Sequence, residues 1–297
     1  MNWYGNQKER WIEIIKAVAA EEKRSLQMVE KDTIQSIFLL KLSYSELPFV
    51  FKGGTSLSKV YDLIKRFSED IDLSMSRKIT ESEKKSASYT IIKIASSMGL
   101  FHANEKDIRS GYNYNKYVFE YESLFNSMQS EIIVETSFYQ ISYPVETLKV
   151  NSIVEKFCQK NGIDIREIEK LNCNIKVQNL SRTFIDKIFA ICDYTLLDSI
   201  DRNSRHLYDI SKMIPYIKFD SKFCDLVIDV RRDRMLSKNN PSAQIENDIP
   251  QILERIIEKR IFESDYNNIT NKLLYEKMTY DEAIKEGIEI VLKMKVF

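Results

Sequence analysis

The segment FKGGTSLSKVYDLIKRFSEDIDLS carries two kinds of chemically useful residue: adjacent glycines, Gly53 and Gly54, near its start, and the acids Asp70 and Asp72 near its end. The acids and Ser74 alternate with Ile71 and Leu73, a period of two that predicts a strand with both carboxylates on one face, about 7 Å apart. Such a pair repels itself unless a cation bridges it, and hard divalent ions such as Mg²⁺ prefer oxygen ligands. The glycines end a short apolar run, Phe49-Val50-Phe51, and precede Thr55 and Ser56, either of which can cap a helix. Glycine lets a ligand approach the backbone closely, and the first N–H groups of a helix attract an anion. A phosphate-binding turn followed by an acidic strand is the equipment for metal-assisted attack on a nucleoside triphosphate.

Each motif alone favours a plainer account, because most glycine pairs are tight turns and most Asp-x-Asp pairs are solvated strand edges. Their closeness, with one helix between them, favours a site. Neither G-x-x-x-x-G-K-[ST] nor G-x-G-x-x-G occurs, which excludes a P-loop. Lys187 lies among Phe184, Ile188, Ile191 and Cys192 on an apolar helix. It is either a lysine whose stem covers core surface or a phosphate-binding ammonium. Arg231, Arg232, Arg234 and Lys238 cluster in RRDRMLSKNNP, which reads first as a solvated basic helix end and second as a landing site for an RNA backbone.

The elements that must position these residues follow from periodicity. Residues from Gln7 to about Tyr44 read as helical, with stripes at Trp11, Ile14, Ile15, Val18 and at Ile34, Ile37, Phe38, Leu42. The helix after Gly54 is expected to bury Leu57, Val60, Tyr61 and Ile64. A further helix ends at Gly99, and NKYVFEYES and EIIVETSFY are strands. Beyond Ser181 the pattern is helical, with starts near Ser181, Ser204, Ser221, Asp248 and Thr279, the last a capping-box-like TYDE. The expectation is an α+β fold with a small mixed sheet (residues 1–165), then a mostly helical C-terminal domain (166–297), with an active site in the cleft between them.

The 297 residues suffice for a large core, and 43% apolar with 11% aromatic content excludes wholesale disorder. Lys plus Arg equals Asp plus Glu at 44 each, which argues against a general polyanion coat but permits a local basic groove. The 4 cysteines show no C-x-x-C spacing and there are 2 histidines, so zinc is poorly supported. No secretory signal or membrane-length apolar run is seen, and a reduced, cytoplasmic, soluble protein is the simplest reading.

The string FKGGTSLSKVYDLIKRFSEDIDLS resembles the GG-x-S-L-x-K and R-F-S-E-D-I-D-L blocks of the AbiEii/AbiGii-type toxins, nucleotidyltransferases of the DNA polymerase β-like superfamily. FIDKIFAICDY is similar to that family's lysine-bearing helix and SRHLYDI to its Arg-x-x-x-Asp block, and the blocks follow in order over most of the chain. The resemblance implies a polymerase-β-like fold in which Gly53, Gly54, Thr55 and Ser56 cradle the triphosphate and Lys59 adds positive charge. Asp70 and Asp72 would hold Mg²⁺ or Mn²⁺, with a third carboxylate from a neighbouring strand: Glu135, or Glu131 as the alternative. Lys187 would bind phosphate, near Asp209, which would orient either that lysine or the nucleotide. Arg205 would contact phosphate or pair with an acid, and Arg66 would steady the acidic strand or the triphosphate. His206 stands where the family often has Asp, and reads as a surface or packed histidine rather than a general base.

The implied activity is transfer of a nucleoside monophosphate from an NTP to RNA, often the 3′ end of tRNA, by a growth-arresting toxin paired with an antitoxin. Two other readings keep the same fold: nucleotidylation or phosphorylation of a protein hydroxyl, and a non-catalytic nucleotide-binding module.

Overall fold

The computed structural model describes residues 2–109, 111–126, 130–164, 171 and 173–297. Its chain forms two compact units, one of residues 1–61 and 68–177, the other of residues 62–67 and 178–297.

The first unit opens with helices α1 (Lys8–Glu22) and α2 (Leu26–Ser43). They separate where Lys23 takes a left-handed backbone and Ser25 caps α2, its side chain accepting from the Met28 N–H. The strands are β1 (Phe49–Lys52), β2 (Asp70–Met75), β3 (Phe101–His102), β4 (Tyr114–Tyr121), β5 (Ser130–Ile141), β6 (Val145–Val150) and β7 (Cys173–Gln178). They form a seven-stranded sheet in the order β3-β4-β5-β2-β1-β7-β6. The sheet is mixed: β2 runs parallel to β5 and β1 parallel to β7, while β1/β2, β3/β4 and β4/β5 are antiparallel. Three helices interrupt the strands: α3 (Gly53–Lys59), α4 (Glu81–Ser97), which opens on a Thr80–Glu83 capping box, and α5 (Ile153–Lys160).

Strand alternation gives the sheet two unlike faces. Phe49, Phe51, Ile71, Leu73, Tyr117, Phe119, Ile132 and Val134 point to one side and are buried. They share a core with Trp11 and Ile15 of α1, Ile37 and Phe38 of α2, Ile91 of α4 and Val154 of α5. The intervening residues Asp70, Asp72, Lys116, Glu135 and Tyr139 are half-buried or exposed. The hydrophobic stabilisation lies under one face, leaving the other for polar chemistry.

The second unit is helical throughout its described length apart from its connections. Its main helices are α6 (Leu180–Leu196), α7 (Arg205–Met213), α8 (Ser221–Met235) and α9 (Ile249–Glu258), with shorter helical pieces to the C-terminus. The expected capping box is present, Thr279 accepting from the Glu282 N–H while Glu282 accepts from the Thr279 N–H. Residues 62–67 belong to this unit, and 65–67 pair with its C-terminal part: Arg66 bridges Leu274, Phe67 N–H donates to the Leu273 carbonyl at 3.0 Å, and Tyr275 N–H donates to the Lys65 carbonyl at 2.8 Å. The helix expected to run from Thr55 past Ile64 therefore stops at Lys59. Asp62, with φ +55°, turns the backbone out of the helical path. The α+β expectation of a mixed sheet followed by a helical half matches the observed architecture, but the sheet is larger than the small one expected, and the units divide after residue 177 rather than 165, because β7 pairs with β1.

Candidate active site

Gly53 has φ +76°, a conformation that an L side chain adopts only under strain. A Cβ there would lie 1.9 Å from Asp72 Oδ2 and 2.7 Å from its Cγ. The Asp72 carboxylate thus occupies the space that a side chain at position 53 would need. Acid and glycine bend, joined in the sequence by nearly twenty intervening residues, are in van der Waals contact.

Hydroxyls fix this contact. Thr55 Oγ1 donates to the Asp70 carbonyl and lies 2.9 Å from Ser68 Oγ, tying α3 to the start of β2. Ser56 Oγ donates to the Gly53 carbonyl at 2.8 Å. Both side chains are buried, so at this bend the backbone is the part that remains to face a ligand. Lys59 turns towards α2. Its ammonium donates to the Asp32 carboxylate at 2.5 Å, the Asp32 carbonyl at 2.9 Å and Ser36 Oγ at 2.9 Å. Burial pulls its pKa down, against the opposing attraction of Asp32. Asp32 also accepts from the Ile153 N–H at 3.0 Å, so Lys59 anchors α3 to α2 and α5.

Register builds a charged row across the open face. Asp72 lies beside Glu135 of β5, Asp70 beside Ile133, and Glu131 faces Glu120. Of the two candidates for a third carboxylate, Glu135 is the neighbour of Asp72. On the other side of Asp72 stands Lys52, its cross-strand partner in β1. Lys116 of β4 faces Glu135 and reaches it at 3.9 Å. Tyr114, two residues before Lys116, is pushed above the ordinary phenol range by burial first, then by the charge and hydrogen bond of Glu135. Lys52, Lys116, Tyr114 and Asp32 were missed from sequence, since only strand register and tertiary pairing reveal them.

The donor set is one of hard oxygens, the kind that Mg²⁺ or Mn²⁺ prefers. Among the described residues no group of three or more His, Cys, Asp or Glu side chains is gathered closely enough to hold a metal ion. The four cysteines are free thiols.

The second unit holds a different cluster. Asp209 is fully buried and forks to Arg66, whose Nε and Nη2 donate to Oδ1 and Oδ2 at 2.7 Å each. Lys187 Nζ donates to Asp209 Oδ2 at 2.6 Å and is 6% exposed. Burial would raise the Asp209 pKa, but the charges and hydrogen bonds of Arg66 and Lys187 outweigh it and hold the carboxyl well below the usual range. Burial lowers Lys187, and the charge of Arg66 adds to that. Two cations thus share one acid, leaving a surplus positive charge at a buried place. Arg205 is half-buried and close enough to act on Lys187 electrostatically. His206 packs on Tyr194 with ring centroids 5.5 Å apart, its pKa held well below the ordinary value by burial and by Lys187 and Arg205.

In the basic run, two arginines hold structure. Arg231 donates to the carbonyls of Ala243, Gln244 and Asn247, and Arg234 pairs with Asp193 at 2.7 Å. Arg232 is exposed beside Asp229.

A family model described as "Nucleotidyl transferase AbiEii toxin, Type IV TA system" matches residues 37–286. No curated protein sequence matches the chain. Among solved structures, JHP933 from Helicobacter pylori is similar at 15% identity with a TM-score of 0.51, covering 91% of this chain and 93% of its own. MenT4, the nucleotidyltransferase toxin Rv2826c of Mycobacterium tuberculosis H37Rv, is similar at 14% identity with a TM-score of 0.50, covering 94% of this chain and 87% of its own. At these identities the likeness is one of fold.

Proposed function

Because this chain belongs to the AbiEii nucleotidyltransferase toxin family of type IV toxin–antitoxin systems, we propose that it transfers a nucleoside monophosphate from an NTP to RNA, the 3′ end of tRNA being the acceptor. The cognate antitoxin would oppose this activity, and we assign the reaction to the cytoplasm. Among the described residues no helix is long and apolar enough to cross a membrane.

The observation that carries the reading is the contact between Gly53 and Asp72, which would leave a Cβ only 1.9 Å from the carboxylate. A glycine at this bend lets the Asp72 carboxylate pack directly against the backbone, so that phosphates bound by the bend's N–H groups and a cation bound by the acid would be neighbours. In the reaction an acceptor hydroxyl forms a bond to the α-phosphorus, the bond from that phosphorus to the bridging oxygen breaks, and pyrophosphate leaves. Backbone N–H groups at Gly53 and Gly54 would bind the phosphates. Asp70 and Asp72 would hold Mg²⁺ or Mn²⁺, with Glu135 as the further carboxylate beside Asp72, and the ion when bound supplies charge neutralisation for the triphosphate. Lys187 would bind phosphate oxygens, and the surplus positive charge around Asp209 favours an anion there. Asp209, forked to Arg66, orients Lys187.

The test incubates purified protein with total RNA and each α-labelled NTP. Label enters RNA from at least one NTP, is removed by ribonuclease, and is lost in a folded Asp72→Ala protein. Within the same assay Glu135→Gln lowers transfer more than Glu131→Gln. Transfer by folded Asp72→Ala would overturn the assignment, and in a parallel incubation of the protein with lysate and γ-labelled NTP, label retained on a protein would replace it with kinase chemistry.

A further inference from the structure

The triphosphate needs a cation in the first unit, since its phosphates must approach a face carrying Asp70, Asp72 and Glu135. The expected one, Lys59, is fastened to Asp32 and Ser36 with its side chain 2% exposed. Lys116 stands beyond Glu135, two strands from Asp72 and on the side away from the glycine bend.

We propose that Lys52, the residue before the glycine bend and the cross-strand partner of Asp72, is the lysine that binds the triphosphate. The inference rests on the nucleotidyltransfer reading and adds a residue to it. Three observations support it. Opposed residues in an antiparallel pair have Cβ atoms about 5 Å apart and share a face, which places Lys52 on the open face next to Asp72. Lys52 flanks Asp72 on the side opposite Glu135, so a ligand resting on the bend and on Asp72 meets an ammonium rather than another carboxylate there. Lys52 is half-buried, and among the described residues its ammonium enters no hydrogen bond or ion pair. An ammonium on the face shared with Asp72, one residue before the bend, would offset the charge that grows on the leaving pyrophosphate.

The experiment uses the full chain as Lys52→Met and Lys52→Arg. It measures KM and kcat for the preferred NTP, the melting temperature of each protein alone, and the rise in melting temperature produced by that NTP with Mg²⁺ and no acceptor. Loss of a hydrogen bond to a charged group predicts a fall in kcat/KM of about 10- to 100-fold for Lys52→Met. Its melting temperature without nucleotide stays at the wild-type value, its nucleotide-induced rise shrinks, and Lys52→Arg restores most of both. Wild-type kcat/KM and a full nucleotide-induced rise in Lys52→Met would overturn the proposal. So would equal losses in Met and Arg variants accompanied by a lower melting temperature without nucleotide, which would mark a structural lysine. If wild-type protein labels no RNA, the transfer reading fails by itself, and the nucleotide-induced rise still decides the role of Lys52.

Discussion

Gly53→Ala tests the central geometry most directly. The substitution puts a methyl group on a residue at φ +76° and 1.9 Å from Asp72 Oδ2. The left-handed conformation costs a non-glycine residue about 1–2 kcal/mol, partly offset by about 0.4–1 kcal/mol from a less flexible unfolded chain. The net backbone effect is about 1 kcal/mol, a melting shift of about 2–4 °C for a unit of 150–250 residues. Relief of the clash is a separate matter. The carboxylate must retreat from 1.9 Å to at least 3.0 Å, a displacement of about 1.1 Å. Asp72 Cγ at 2.7 Å and Cβ at 3.0 Å are crowded too, so relief moves the whole side chain and adds a cost in stability to the backbone effect. Catalysis suffers more, since about 1 Å of misplacement costs on the order of 100-fold. The expected outcome is a folded protein with a lowered melting temperature and at least about 100-fold less labelled-NTP transfer. A stability cycle with Asp72→Ala isolates the contact: the alanine removes Oδ2 and Cγ, so the double variant is less destabilised than the two singles summed. Wild-type transfer and melting in Gly53→Ala, or strict additivity in the cycle, would refute the argued contact.

Two further perturbations probe the scaffold. Asp209→Asn leaves Arg66 and Lys187 buried without their shared counter-charge, and should cost about 3–5 kcal/mol in denaturant unfolding. Because the folded carboxyl titrates below its unfolded value, its contribution is complete above about pH 4 and is lost as pH falls through the folded pKa. The gap between wild type and variant therefore stays flat from about pH 5 to 8 and narrows only in stronger acid; a gap that closes near neutrality would contradict this. Lys59→Met and Asp32→Asn each break the α3–α2 anchor, with an expected cost of about 2–4 kcal/mol. The double variant should cost less than their sum, and additive losses would mean that the pair is not coupled.

Local patterns carried much of this structure. The acidic strand was legible because Ile71 and Leu73 alternate with Asp70, Asp72 and Ser74, and the period survives in the observed burial as far as Leu73, Ser74 being buried and donating to the Gln140 carbonyl. Helix starts were legible where capping chemistry is local, as at Thr279. The helix after Gly54 was drawn too long because Val60, Tyr61 and Ile64 continue its apolar spacing. The cause of its ending, the pairing of residues 65–67 along Leu273 to Tyr275, lies more than two hundred positions away. Lysines were misjudged for the same reason. Nothing near Lys59 in the sequence announces Asp32, and nothing near Lys52 announces that it faces Asp72. Residue types placed the chemistry in this region, whereas register decides which lysine is available to it.

That register also explains how the open face tolerates its acids. Like charges directly opposed in a sheet are destabilising, whereas opposite charges contribute roughly 0.2–1 kcal/mol per pair. Across β1, β2, β5 and β4 the row reads Lys52, Asp72, Glu135, Lys116, with the carboxylates adjacent and a lysine at each end. The unfavourable pair sits at the centre, bracketed by two lysines, one of which meets Glu135 only at 3.9 Å and is 47% exposed. Such a partner holds Glu135 weakly enough to surrender it to a stronger cation at little cost. Lys59 and Asp32 follow the opposite rule: buried, close and multiply hydrogen-bonded, they form a joint that no ligand is built to open. The same two residue types, lysine and carboxylate, therefore serve as scaffold or as site according to burial.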